Sequence, residues 1–395
     1  MIRFLTAGES HGPGLVVILE GIPAGLALDE EEIQGELARR RLGYGRGPRM
    51  RFERDELSMI GGIRHGRTLG SPIAIEIKNS EWPKWEAEMS SKPGMPTKPL
   101  TAPRPGHADL AGMLKYGFDD ARDVLERASA RETAARVVAG AVAKALLSKI
   151  GVSVLSHVTQ LGTAELKGFR LPTPSDLPAI DASPVRCLDQ VVEAAMIAEI
   201  KAASKIGDSL GGAAQVVAWG VPVGLGSHVH WDRRIDGIIS YALMSIQAVK
   251  AVAIGDGLDI SYRRGSEAHD AIHWDSEAES YYRSTDRAGG IEGGMTTGAP
   301  LTATAWMKPL ATLNRPVLET VDIKTKESTI SFKERTDVTA VPAMGVVAET
   351  MTALVLASEA LRKFGGDSVA EFVTNFEAYS KSIGSTLSGP FQTVE

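Results

Sequence analysis

A single cysteine, Cys187, among 395 residues excludes a disulfide framework and a cysteine-built zinc site, and it fits a reducing cytoplasm. His65, His157, His228, His230, His269 and His273 fall in no H-E-x-x-H or other metal-binding spacing, so no metal is expected. His228 and His230 would share a strand face, but two ligands without a third read as a surface pair. No apolar run reaches the ~18 residues that cross a bilayer, and no signal peptide precedes the first strand, so no membrane is expected. The net charge of −6 argues against nucleic acid as a partner. Nucleophile-elbow and Walker motifs are absent. The glycine-rich run at residues 289–298 neither follows a strand nor opens a helix, so it is not a dinucleotide fingerprint.

What remains is a chain with 43% hydrophobic and 23% charged residues, the composition of a globular protein. Strand and helix patterns alternate without a regular β-α-β period, which gives a single α+β domain over residues 1–395. An apolar stretch at residues 1–7 and the block LVVILEGIPAGL read as two strands. Between them lies GESHGPGL, which places Ser10 and His11 on a tight glycine-rich turn. Asp29 opens a helix through Arg41, with Leu28 and Ile33 set as a hydrophobic staple. Further helices are expected near 130–150, 188–205, 236–249 and 342–364. Residues 80–105, rich in Pro, Lys and Met, read as a mobile surface insertion.

Charge is distributed unevenly. Residues 39–54 hold seven arginines (Arg39, Arg40, Arg41, Arg46, Arg49, Arg51 and Arg54) against one acid, Glu53. Arginine on a Gly/Pro-rich loop suits a bidentate grip on carboxylate or phosphate, although a solvated basic loop has the same composition. In ERASARETAARVVAGAV, Ser129 and Glu132 have the spacing of a capping box, and Arg127 and Arg131 flank the helix start. Free N–H groups beside two guanidinium groups make a ready anion site. RPGHADL puts His107 on a second turn, and ERTDVTAVPAMG sets Arg335 and Asp337 two apart, on one face of an extended segment.

In order and spacing, these segments resemble the signatures of the chorismate synthase family over residues 2–362. RRRLGYGR, IGDSLGG, IQAVKAVAIGDG and GGIEGGMTTGAP belong to the same set. The resemblance implies a β-α-β sandwich with helices between antiparallel sheets, assembled as a homotetramer. It implies a lyase that removes phosphate from 5-enolpyruvylshikimate 3-phosphate by 1,4-trans elimination, giving chorismate with reduced FMN as cofactor. By the same resemblance His11 is the acid for the departing phosphate and Ser10 a hydroxyl donor. His107 lies beside the flavin pyrimidine ring, and Asp337 lies near flavin N5 and helps accept the proton. Arg40, Arg46, Arg131, Arg335 and Ser129 would bind substrate. Arg127, Ala128, Ser129, Gln247, Ala248, Gly293, Lys308, Pro309, Leu310, Ala311, Thr312 and Arg335 would hold FMN. Arg40 and Arg46 are also NADPH contacts in the family, with NADPH an indirect electron source. An FMN carrier or an NADPH-dependent flavin reductase on the same fold is the alternative.

Overall fold

The computed structural model describes residues 1–46, 55–277, 279–332 and 337–383. Two antiparallel sheets form its outer layers. The first joins β1 (Arg3–Ala7), β2 (Gly14–Glu20), β3 (Leu57–Gly61) and β4 (Ile73–Lys78) in the order β1-β2-β4-β3. The second joins β5 (Ser153–Leu161), β6 (Ala164–Glu165), β7 (Gly212–Trp219), β8 (Val249–Ile254) and β9 (Leu301–Met307) in the order β8-β9-β7-β5-β6.

Helices fill the space between them. The ones used below are α1 (Glu30–Arg41), α2 (Trp82–Trp85), α3 (Asp109–Tyr116), α4 (Arg122–Ala128) and α5 (Thr133–Leu147). The chain continues with α6 (Gln190–Ile206), α7 (Ile235–Met244), α8 (Val341–Phe364) and α9 (Val369–Ser382). α5 packs on β2, α8 packs on β5 and β7, and α5 and α8 pack on each other. The order of layers is therefore sheet, helices, sheet, as the resemblance implies.

Side-chain size explains why the two central helices come so close. A Cβ built on Gly140 of α5 would sit 2.2 Å from Cβ of Thr350 on α8, so only glycine permits this crossing. α8 is buried along nearly its whole length. It is long and apolar enough to cross a membrane, with 94% of its test window buried inside the protein. The expectation that no such run exists is thus corrected: this one is the core helix of the sandwich.

One buried carboxylate ties the layers together. Glu349, fully enclosed on α8, meets Arg39 of α1 at 2.7 Å, Lys144 of α5 at 2.6 Å and Arg186 at 3.8 Å. Burial alone would raise this carboxyl, but Lys144, Arg39 and Arg186 hold it well below its usual range. Arg39 thus belongs to the frame and not to an anion-binding loop. Its neighbour Arg40, about 100° further round the helix, faces a different way.

Several local expectations need correction. Ser129 accepts a hydrogen bond from the Arg131 N–H at 3.3 Å. Glu132 does not complete the capping box. Its carboxylate accepts from Arg136, four residues on, at 2.9 Å, and from Thr6 at 2.7 Å and Gln247 at 3.0 Å, two contacts that no local pattern reveals. The helix expected through 249 stops at Met244. Ala248 is left-handed at φ +67°, and Val249 begins a strand. His228 and His230 lie on a loop, not a strand, with Nδ1 of His230 2.6 Å from Asp232.

Candidate functional site

The turn that carries His11 is shaped by its close quarters. Gly8 has φ +101°, and a Cβ there would fall 2.3 Å from the carbonyl oxygen of Gly14. Nδ2 of Asn79 donates to the carbonyls of Ser10 at 3.2 Å and Gly12 at 2.8 Å. The Ser10 N–H donates to the Glu126 carbonyl at 3.0 Å, which pins the turn to α4. Ser10 Oγ accepts from Ser129 Oγ at 3.2 Å, so the first turn and the start of the central-helix segment meet side by side.

These residues open on a cavity of about 1610 Å³. The first turns of both central helices line it, through Ala130, Arg131 and Thr133 on one side and Ala340, Ala343 and Met344 on the other. Two helix N-termini aimed at one space favour a negatively charged occupant. Arg40, Arg46, Arg131, Arg104, Arg122, Lys84, Lys98 and Lys308 also face it, against Glu81, Glu88 and Asp337. Arg40 is buried, its Nε donating to Thr133 Oγ1 and Nη2 to the Ala130 carbonyl, both at 2.9 Å. Arg131 is buried against Asp55. Nη1 of Arg46 lies 3.2 Å from Asp337.

Both turn histidines reach this cavity. His11 Nδ1 lies 2.9 and 3.0 Å from the carboxylate oxygens of Glu126, and its ring centre is 4.0 Å from that of Trp85. His107 Nδ1 is 2.5 Å from Asp109. Arg104, beside it, donates to Thr312 Oγ1 at 3.0 Å. Lys308 donates to the Gly106 carbonyl, joining the 308–312 loop to the His107 turn. Burial and the nearby Lys250 push its ammonium below the usual value.

Of the residues named from sequence, the cavity collects Ser10, His11, Arg40, Arg46, His107, Ala128, Ser129, Arg131, Gln247, Ala248, Lys308, Leu310, Ala311, Thr312 and Asp337. Three stand off its wall. Arg127 occupies the last turn of α4, where the helix dipole favours a cation. Its guanidinium holds the end of β1 through Thr6 O at 2.7 Å and Gly8 O at 3.0 Å. Gly293 sits in a tight hairpin between Ile291–Glu292 and Met295–Thr296, and Pro309 is not among the residues that line the cavity. Arg335, Arg49, Arg51 and Arg54 lie outside the described residues. Among the described residues no group of His, Cys, Asp and Glu could hold a metal.

Sequence reasoning missed four contributors. Glu126, 115 positions from His11, shows no local signal. Asp109 does, since it stands two residues after His107. Trp85 and Lys84 come from the 80–105 stretch, which was expected to be a peripheral insertion. In the structure that stretch carries α2 and forms a wall of the cavity.

Residues 2–361 match the family model described as chorismate synthase. The chain belongs to the chorismate synthase family. A chorismate synthase of Salinispora tropica is 58% identical over 388 residues, covering 96% of this chain and 98% of that protein. One from Thermobifida fusca is 55% identical over 394 residues, at 97% and 99% coverage. A crystal structure of chorismate synthase matches with TM-score 0.78 and 40% identity, covering 97% of this chain and 98% of that one. Family membership makes the chain a lyase that forms chorismate, in the shikimate route to the aromatic amino acids. A carrier or reductase that has lost the elimination is not favoured, because His11, His107 and Asp337 are all present and face one cavity.

Proposed function

We propose that this chorismate synthase family member converts 5-enolpyruvylshikimate 3-phosphate to chorismate in the cavity described above, with reduced FMN bound beside the substrate. The observation that carries the reading is the size and charge of that cavity. Ligand pockets commonly run to about 300–1,000 Å³, so about 1610 Å³ leaves room for a trianionic substrate and a flavin together. The wall fits a flavin in two further respects. Gln247 Oε1 is buried without a hydrogen-bond partner among the described residues, an acceptor suited to a ring N–H. Next to it, Ala248 holds a left-handed backbone that a non-glycine residue adopts only under strain of order 1–2 kcal/mol. Gln247, Ala248, Lys308, Leu310, Ala311, Thr312, Ala128 and Ser129 would hold the cofactor. Pro309, Gly293, Arg127 and Arg335 join this set by resemblance alone.

When bound, reduced FMN supplies an electron-rich ring that allows an unactivated substrate hydrogen to leave with no net redox change. The chain's own residues do the rest. Arg40, Arg46, Arg131 and Arg335 bind the two carboxylates and the phosphate, and Ser10 and Ser129 add hydroxyl donors. His11 gives a proton to the departing phosphate oxygen, which neutralises charge as the C–O bond breaks. His107 holds a proton on the flavin side, and the Asp337 carboxylate accepts the proton lost from the substrate ring. Trp85 over His11 keeps water from this end of the cavity.

Assembly and setting follow the same reading. Ile272, Trp274 and Tyr281, on one face of the Ile272–Asp275/Ser280–Arg283 hairpin, are 61%, 51% and 54% exposed. An apolar patch of this kind on a folded chain supports burial against other copies, as in a homotetramer. Cys187 is free and buried, in keeping with a reducing cytoplasm. NADPH, as an indirect electron source, would approach through Arg46, which lines both the main cavity and a second one of about 900 Å³.

The test is anaerobic turnover with dithionite-reduced FMN, compared with NADPH plus oxidised FMN in air. Chorismate and phosphate should appear with reduced FMN in both wild-type and tag-free protein. Product without any flavin overturns the reading. Activity with NADPH and oxidised FMN assigns a built-in reductase, and its absence removes NADPH from the account.

A further inference from the structure

Each cavity histidine is backed by the same kind of assembly, and the proton transfers proposed above do not require it. Behind His11, the Glu126 carboxylate accepts the His11 backbone N–H at 2.8 Å and Arg122 Nη1 at 2.9 Å. The Arg122 guanidinium lies 5.0 Å from the centre of the Trp85 ring. Behind His107, Asp109 accepts from Arg104 Nε at 2.8 Å and Nη2 at 3.1 Å. The Arg104 guanidinium in turn lies 5.0 Å from the centre of the Phe332 ring. Glu126 is 3% exposed and Asp109 0%. One assembly spans 115 positions of sequence and the other two, so no local repeat explains the parallel.

An ionised carboxylate only accepts hydrogen bonds. Each carboxyl accepts from an arginine side chain and from a backbone N–H, which is the setting of an ionised carboxylate. Burial would raise each, but the hydrogen bond from the histidine and the adjoining arginine hold both below the usual range. The ring nitrogen that meets the carboxylate must therefore carry a proton. At His107 a second donor competes, since Arg104 Nη2 lies 3.0 Å from the same Nδ1. Two N–H groups cannot bond each other, and the 2.5 Å contact to Asp109 is the shorter, so Asp109 decides. Each arginine offsets its carboxylate's charge. What the carboxylate then supplies is ring orientation and tautomer.

We propose that Glu126 and Asp109 are positioning residues that lock His11 and His107 in the Nδ1–H tautomer and leave Nε2 of each ring as the atom that exchanges protons with bound ligands. The inference rests on the reading of both histidines as proton donors, and it predicts more than that reading does. Either histidine could donate from either nitrogen; here Nδ1 is committed to the carboxylate, and at His107 Arg104 Nη2 also comes within 3.4 Å of Nε2.

The experiment is nitrogen NMR of the full, ligand-free chain with ¹⁵N-labelled imidazoles, at a pH where the rings are neutral. Eight histidines allow assignment by single His→Ala variants. Wild-type His11 and His107 should each show a protonated Nδ1 and a bare Nε2. Glu126→Gln should disturb only His11 and Asp109→Asn only His107, since one amide oxygen cannot serve three donors. Turnover should fall roughly 10²-fold in each variant with KM within about threefold. A proton on Nε2 in wild-type protein overturns the inference without recourse to any variant. A ring tautomer unmoved by Glu126→Gln or Asp109→Asn overturns it as well. If His11→Ala turns over normally while Nδ1–H is observed, the assigned role of His11 fails and the tautomer assignment stands.

Discussion

Asp337→Asn separates two roles that the proposed function gives to one carboxylate. Asp337 is 22% exposed at its side chain and lies 3.2 Å from Arg46 Nη1, which is 10% exposed. At an effective dielectric of about 20 the attraction at this distance is of order 5 kcal/mol before desolvation. Water access and the loss of hydration reduce the net worth of such a pair to about 1 kcal/mol. Replacing the acid by its amide therefore removes one negative charge from beside Arg46, where an anionic ligand is to bind. Substrate should bind as well or up to about fivefold more tightly, since about 1 kcal/mol is a factor of five. If the carboxylate also takes the substrate proton, the chemical step slows by about 10²-fold or more. The expected signature is a lower kcat with an unchanged or lower KM, read from chorismate absorbance under anaerobic conditions with reduced FMN. A variant with normal kcat and a raised KM refutes the argument and reduces Asp337 to an anchor for Arg46.

Other consequences can be checked in the same way. Arg46→Ala should raise the substrate KM about 10- to 100-fold through loss of a charge-assisted contact, measured by steady-state kinetics. Gln247→Leu removes the unpartnered acceptor and should weaken FMN binding in a fluorescence titration by about tenfold; it also removes the donor to Glu132 and should lower stability by about 1 kcal/mol. Glu349→Ala leaves Arg39, Lys144 and Arg186 without their shared carboxylate and should destabilise the fold by about 3–5 kcal/mol in denaturant melts. Glu349 is depressed in the folded state, so its contribution is present above the unfolded carboxylate range and lost as pH falls below it; Glu349→Ala should flatten that acid limb. Asp286 has the opposite sign. Burial, with Asp270 nearby, raises it to about 6, so its charge opposes folding above that pH and the effect fades towards pH ~4. Asp286→Asn should raise Tm at pH 8 and do little at pH 4.

Legibility in the sequence followed the range of the interactions. The turn at His11 and the start of α1 at Asp29 are set by neighbours a few residues away, and each stood out as a local pattern. Glu132 has the spacing of a capping partner, yet its bonds go to Thr6 and Gln247, far away in sequence. α9 opens on a true capping box between Ser368 and Glu371, a local pattern, yet no helix was expected there. The cavity residues were named through resemblance, and the geometry brings most of them to one wall. Their supports were legible only in part: Arg104 and Asp109 stand within three residues of His107, whereas Glu126 and Trp85 reach His11 only through folding. The 80–105 stretch misled for a compositional reason: Pro and Lys mark irregular backbone, and irregular backbone can cover a site as well as project from a surface.

The most direct test of the central claim is an anaerobic single turnover with stoichiometric reduced FMN, in which chorismate, phosphate and the final flavin spectrum are followed together. The account predicts one phosphate per chorismate with the flavin still reduced at the end, and loss of product formation in His11→Ala at unchanged flavin affinity. Chorismate formed without flavin, or one flavin oxidised for each chorismate, would contradict it.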